Sequence, residues 1–546
     1  PELQSKDLNM ESFAGDLREM ARTPLHQSHV QAIRDLGTEV RFDAGTMIAE
    51  VGDPMDRFLY ILEGRVEIID TYTREAYLPS SLGPDQFIGE ITFLNGGAYT
   101  LPLRAKEDTI LISVSRKDML AAMSRIPEMS DIIISVFAAR RRRQVEEHDT
   151  SLKLVGADVD RDVRRVAEFA ARNKIAFQMI DLGSEDAEEI AQSCKLSGRQ
   201  PAVVFGKNRV VDQPTPAKVA KLLGLAQHFE CHETVDVLIV GGGPAGVAAA
   251  VYAGAEGLSA VLVEDLAIGG QAGTSSRIEN YMGFPTGISG SDLVWRGEVQ
   301  ALKFGTRFLR PRRAEKLKRR ADGTFCVTLD NGKEICAKAV VVASGVQYRR
   351  LPLNRLEEFE GTGIYYAATD MEARYCRGAD VVVVGGGNSA GQAAMYLSRA
   401  ACHVHMLIRG DSLAESMSDY LLSRLEADPS VTIHYKSQIK ALEGDAALEK
   451  VVIDRNGEDW NLDCPAAFIM LGAAPNTDWL SETCDLDERG FVLTGDKVGE
   501  QSQYATSCPG LFAVGDVRAG SVKRVASAVG EGSVVISHVW QHVQGN

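Results

Sequence analysis

Two glycine-rich turns constrain this chain more than any other feature. The first reads Gly241-Gly242-Gly243-Pro244-Ala245-Gly246 and the second Gly385-Gly386-Gly387-Asn388-Ser389-Ala390. Each follows a β-branched run, Val235–Val240 and Val381–Val384, and each opens an alanine-rich stretch of helical character. A strand feeding a helix through glycines is the context of a dinucleotide site. Gly241 allows the tight bend, Gly243 lets the backbone approach a pyrophosphate, and Gly246 lets strand and helix pack closely. The helix N-terminus then offers unpaired N–H groups to phosphates. Two such turns imply two nucleotides, one giving electrons and one receiving them. No Cys-x-x-Cys occurs anywhere in the chain.

The ends of the second strands separate the two sites. Val261-Leu262-Val263 ends in Glu264. A carboxylate there accepts hydrogen bonds from a ribose 2′-hydroxyl, which suits FAD. His403–Ile408 ends instead in Arg409. An arginine there pairs with a 2′-phosphate, which tilts the second site toward NADPH and leaves NADH as the alternative.

Length and composition bound the rest. A chain of 546 residues predicts three or four domains at roughly 150 residues each. No uncharged apolar run reaches the about 18 residues of a membrane span. The polar start (Glu2, Asp7, Glu11) carries no secretory signal. Nine cysteines lie singly, without zinc spacing. That fits a reducing, cytoplasmic protein without a disulfide framework or metal. A net charge of −16 repels nucleic acid and anionic membranes, so neither is an expected partner. The basic run Arg140–Arg143 reads as a solvated helix end. In the polar linker His228–Thr234, Cys231 and His232 are too few to hold a metal.

The expected fold class is α/β. Two Rossmann-like domains, for FAD and NAD(P)H, follow a β-roll and a thioredoxin-like domain. The expected boundaries are 1–149, 150–228, 229–350 with 474–546 for FAD, and 351–473 for NAD(P)H.

Residues 1–149 begin with short apolar segments and glycine turns, followed by a helical pattern from Ser113 to about Glu147. The Gly45, Gly52-Asp53, Tyr60 and Gly64 spacing and the Phe87-Ile88-Gly89-Glu90 box resemble the cyclic-nucleotide-binding domain of the catabolite activator family. The resemblance implies that Gly89 and Glu90 meet a ribose hydroxyl. It also implies an arginine for the cyclic phosphate, where this chain has Tyr99; Arg104 is the only candidate to replace it. The expectation is a degenerate pocket with another small ligand or none.

Residues 150–227 read as βαβαββα, with a hairpin around Gly206-Lys207-Asn208. The pattern resembles the thioredoxin or glutaredoxin fold, in which Pro201 takes the cis-proline position. No cysteine lies after its first strand, near Ala157–Asp160, and Cys194 reads as a packed small residue. The block is expected to act as an inactive adaptor or spacer.

From about residue 234 onward the chain resembles the low-molecular-weight thioredoxin reductases. The fingerprint, Gly269-Gly270-Gln271, Ile278–Pro285 with Asn280, Val340–Gly345 and Gly510–Asp516 occur in that family's order. The resemblance implies FAD contacts at Gly241, Gly243, Pro244, Ala245, Gly246, Glu264, Gly270, Gln271, Asn280, Gly515 and Asp516. It places the Arg524-Val525-Ala526 backbone at the flavin pyrimidine edge. Gly385, Gly387, Asn388, Ser389, Ala390 and Arg409 would hold NAD(P)H. A homodimer through the FAD domain is implied as well.

That family keeps a Cys-Ala-Thr-Cys before its second Rossmann strand. Here the aligned run is Ala367-Ala368-Thr369-Asp370. Ala367 and Asp370 cannot exchange a disulfide. Cys376 reads as an uninvolved thiol in an exposed turn. The expected function is therefore an FAD-dependent NAD(P)H oxidoreductase passing electrons to a small-molecule or protein acceptor. The alternatives are a redox or nucleotide sensor with little turnover, and a disulfide reductase that borrows a partner's cysteines.

Overall fold

In the computed structural model the described residues are 24–545, apart from 197, 207–208, 212, 226–232, 275–277, 279–280, 349–350, 360–362, 367, 369–372, 374–375, 414–416, 446 and 481. The N-terminal block is a roll of two antiparallel sheets. One runs in the order 38–42, 109–115, 57–63, 87–88, and the other 47–49, 103–105, 66–68. Phe58, Phe87, Phe93 and Phe137 fill it with ring centroids 5.3 to 6.4 Å apart. Phe137 comes from the long helix that closes the roll.

The helical pattern after Ser113 resolves into two helices, Arg116–Arg125 and Pro127–Glu147. Ser115 caps the first, and a proline starts the second, where its missing N–H costs nothing. Of the basic run on the second helix, Arg143 is exposed as expected, but Arg140 and Arg141 are not solvated. Arg140 donates to the Gly89 carbonyl at 2.8 Å, and burial pushes it down to about 10. Arg141 pairs with the buried Glu90. The helix turns these two arginines into the roll, where polar partners meet them.

The next block carries strands in the order 209–210, 202–205, 152–155, 178–180. Strand 152–155 pairs in parallel with 178–180 and antiparallel with 202–205. Asp160, Ser184 and Thr215 cap its helices Arg161–Arg172, Glu185–Ser193 and Pro216–Leu222, each accepting an N–H two or three residues on. Among the described residues the cis peptide bond precedes Pro311, not Pro201. Cys194 follows the second helix and packs against Val155 and Ile190, among other apolar side chains.

The third block centres on Thr234–Val240. Parallel neighbours are Ala260–Val263 and Glu334–Val342, flanked by Arg307–Leu309 and Leu511–Ala513. Strand Ala260–Val263 is buried on both faces and so shows no alternation. An antiparallel pair, Phe325–Leu329 and Ala314–Arg319, extends the sheet. Cys326 and Cys336 lie directly opposite in that extension, with Cα atoms 4.2 Å apart, and form a disulfide. The expectation of no disulfide is thereby corrected: strand register brings together two thiols that the sequence separates.

A second parallel sheet runs in the order 364–365, 466–469, 380–384, 403–408, 431–435. Two chain segments join it to the third block, and they pair antiparallel as Val346–Tyr348 with Ala473–Pro475. Cys376, expected in an exposed turn, is fully buried in this domain's core. Among the described residues no helix is long and apolar enough to cross a membrane.

Candidate functional site

The first fingerprint turns out of Thr234–Val240 into helix Pro244–Ala255. Gly241 has φ +110, and a Cβ there would lie 2.2 Å from the Ala343 carbonyl oxygen. A Cβ on Gly246 would lie 1.9 Å from the Gly241 carbonyl oxygen. Both glycines are therefore demanded by the fold itself. Gly243 differs, since a Cβ there meets nothing within 4 Å. Gly243 is the N-cap, with no side-chain hydrogen bond, and Pro244 needs no partner for its missing N–H. The open cap and the free N–H groups behind it form a cradle that fits the pyrophosphate of a dinucleotide.

Glu264 stands beside this turn. It accepts the Gly242 N–H at 2.7 Å and the Leu266 N–H at 3.1 Å. Burial, then the neighbouring Asp265, push its carboxyl above the ordinary carboxylate range. Gly270 lies under the turn, because a Cβ on it would be 3.0 Å from Gly243 Cα. Gln271 Nε2 donates to the Val346 carbonyl at 2.6 Å, which ties this loop to the crossing strand. Asn280 lies outside the described residues.

The second part of the site comes from the C-terminal end. Gly515 has φ +74 and packs on Ala245, and Asp516 sits beside it in a short 3-10 turn. Burial pushes the Asp516 carboxyl up, while Lys523 pulls it down and Glu531 pushes it up. Arg524 is the N-cap of helix Val525–Gln544 and makes no side-chain cap bond, so the N–H groups of the first turn, Val525 and Ala526 included, have no cap. This helix lies against Pro244–Ala255 through Gly532, whose Cβ would be 2.1 Å from the Ala245 carbonyl oxygen.

Residue patterns had not pointed to Arg518 and Glu531. They form a buried ion pair at 2.7 Å, and Glu531 also accepts the Gly515 N–H at 2.6 Å. One available signal was an acid between two glycines in an otherwise apolar helix, Gly530-Glu531-Gly532.

The second fingerprint repeats the first. Gly385 has φ +138, with the Met470 carbonyl oxygen 2.2 Å from its virtual Cβ, while Gly387 faces open space at the N-cap of helix Asn388–Leu397. Asn388 Oδ1 accepts the Ser418 N–H at 2.8 Å, Ser389 is exposed and Ala390 is buried. Arg409 is exposed just past strand His403–Ile408. The aligned dithiol positions, Ala367 and Asp370, lie outside the described residues.

In the N-terminal roll, Gly89 has φ +132, and a Cβ on it would sit 2.8 Å from the Phe137 ring. Glu90 is turned onto Arg141 at 2.7 Å and onto the Thr92 N–H at 3.0 Å. Tyr99 is buried, which raises its phenol, and so do Asp56, Asp53 and Glu90. Arg104 does not point to a phosphate position. It pairs with Glu67 at 2.6 Å and donates to the Arg74 carbonyl.

The cyclic nucleotide-binding domain family matches residues 39–125. The pyridine nucleotide-disulphide oxidoreductase family matches residues 235–532. The NADPH-dependent thioredoxin reductase 3 of Arabidopsis thaliana is 32% identical over 320 residues, 57% of this chain and 59% of its own length. This chain thus spans about three fifths of that relative. The thioredoxin reductase of Treponema pallidum is 33% identical over 55% of this chain and 94% of its own length. The crystal structure of Lactococcus lactis thioredoxin reductase (FR conformation) superposes with a TM-score of 0.52 at 26% identity, covering 57% of this chain and 100% of that one. The chain belongs to the pyridine nucleotide-disulphide oxidoreductases, an enzyme family whose thioredoxin reductase-like members bind FAD and NADPH.

Proposed function

We propose that this protein is an FAD-dependent NAD(P)H oxidoreductase whose electrons leave by a route other than an internal dithiol. One observation carries the reading. The run Ala367-Ala368-Thr369-Asp370 stands where the thioredoxin reductases keep two cysteines, and no Cys-x-x-Cys occurs elsewhere. Bound FAD supplies a two-electron carrier between the nicotinamide and the acceptor.

The chain's own residues bind and orient. The uncapped N-terminus behind Gly243 takes the pyrophosphate, Glu264 the adenosine ribose, and Asp516 the ribityl or pyrophosphate region. The Arg524–Ala526 backbone meets the pyrimidine edge. Gly387, Ser389 and Ala390 shape the nicotinamide nucleotide's phosphate turn, and exposed Arg409 favours NADPH through its 2′-phosphate. The acceptor is a small molecule or a partner protein, and the protein works as a cytoplasmic homodimer.

Anaerobic stopped-flow with NADPH tests this. The flavin should bleach within seconds and recolour when a quinone or ferricyanide is added. A thioredoxin-coupled assay should stay at zero. Bound flavin that NADPH leaves oxidised refutes the enzyme, and thioredoxin turnover refutes the missing-dithiol route.

A further inference from the structure

The N-terminal pocket and the FAD cradle are joined by an unbroken run of contacts. Glu90 Oε2 accepts from Arg141 Nε at 2.9 Å and Nη2 at 2.7 Å, with the two side chains only 7% and 12% exposed. The remaining terminal nitrogen, Arg141 Nη1, donates to the Lys174 carbonyl at 3.3 Å. Lys174 holds φ +50 just past the C-cap of helix Arg161–Arg172, where its N–H donates to the Ala171 carbonyl at 3.2 Å and the Ile175 N–H to the Ala170 carbonyl at 2.9 Å. Its Nζ reaches Asp292 Oδ1 at 2.8 Å and lies 5.7 Å from the Trp295 ring centroid.

Asp292 stands in the first turn of helix Gly290–Lys303. From that helix, Val294 Cγ2 reaches within 2.8 Å of a virtual Cβ on Gly269. The Gly269 N–H donates to the Gly242 carbonyl at 2.7 Å, and Gly270 closes on Gly243. The run thus ends in the fingerprint, and it passes through all three of the blocks that meet there. A second link holds the same junction, since Asn173 Nδ2 donates to the Leu266 carbonyl at 3.1 Å, two residues beyond Glu264.

We propose that Glu90, Arg141, Lys174 and Asp292 form a latch that couples the N-terminal pocket to FAD binding. Arg141 holds Oε2 of Glu90, one of the two carboxylate oxygens that a ligand bearing vicinal hydroxyls would bridge. Such a ligand competes with Arg141 for Oε2. Displacement releases the Lys174 carbonyl and removes one restraint on the segment that carries Lys174 Nζ to Asp292. The helix that backs Gly269–Gly273 then loses its anchor. The idea rests on the first fingerprint being the FAD site.

Coupling free energy is the quantity to measure, because Glu90 and Asp292 share no contact and independent sites add. FAD dissociation constants of the full-length protein are compared for wild type, Glu90→Gln, Asp292→Asn and the double variant. Each single change should weaken FAD roughly 5-fold or more. The double variant should match the larger single effect instead of multiplying both. Lys174→Met leaves the Glu90–Arg141 pair intact, so it reads the latch without disturbing the roll, and it should give the same loss. Fold-changes that multiply, or unchanged FAD affinity in Lys174→Met, overturn the latch alone. Wild-type protein that binds no FAD overturns the latch and the functional reading together.

Discussion

Glu264 accepts the backbone N–H of Gly242 at 2.7 Å, so the acid ending the second strand and the middle of the fingerprint hold each other in place. Burial and Asp265 raise the Glu264 carboxyl. Above the ordinary carboxylate value and below the raised one, the folded apoprotein keeps a proton that the unfolded chain has released. Apoprotein stability therefore falls as pH rises through that window. Ribose hydroxyls donate to the ionised form, so FAD binding expels the proton and FAD affinity rises with pH. Calorimetric titration of FAD in two buffers of different ionisation enthalpy should show proton release, and Glu264→Gln should abolish it.

Gly243 and Gly246 should respond in opposite ways to the same methyl group. Gly243→Ala meets no protein atom, so the fold survives while FAD is lost. Gly246→Ala drives a Cβ to 1.9 Å from a backbone oxygen, so the strand–helix joint itself must shift. Thermal melts and flavin content, measured together, separate the two outcomes.

Breaking the Arg518–Glu531 pair leaves a buried charge beside Gly515. Arg518→Ala should cost about 3–5 kcal/mol, as for other buried pairs cut on one side. Urea unfolding gives the stability, and the purified protein should come out with its flavin depleted.

Arg409 lies at the open end of its strand, where a 2′-phosphate would sit. Loss of a charge-assisted hydrogen bond of roughly 1.5–3 kcal/mol predicts a 10- to 100-fold rise in the NADPH KM of Arg409→Ala. The NADH KM should not move. Parallel steady-state assays with both nucleotides check it.

The roll should not bind cyclic nucleotides well. Tyr99 is buried at the position where the resemblance implies a phosphate-pairing arginine, Arg104 is held by Glu67, and Glu90 is held by Arg141. Calorimetry with cAMP or cGMP should show no dissociation constant below about 100 μM, given the loss of roughly 1.5–3 kcal/mol from a missing charged partner.

Local spacing told much of this fold directly. The strand before each fingerprint and the acid or arginine after the second strand were legible from spacing alone, whereas of the glycines Gly246 answers to the nearby Gly241 carbonyl and Gly241 and Gly385 answer to the distant Ala343 and Met470 carbonyls. What stayed hidden depends on residues far apart in sequence meeting in space. Arg140 and Arg141 read as solvent-facing until the helix packed onto the roll. Cys326 and Cys336 read as separate thiols until register set them opposite. Glu531 drew no reading from the sequence, because its partners Gly515 and Arg518 lie on a separate turn that only the fold brings to it. Charge type and glycine spacing thus determined the two glycine turns, with an acid ending one second strand and an arginine ending the other. Only tertiary packing decided which charges are already spent on one another, because an ion pair forms where the fold brings its partners together.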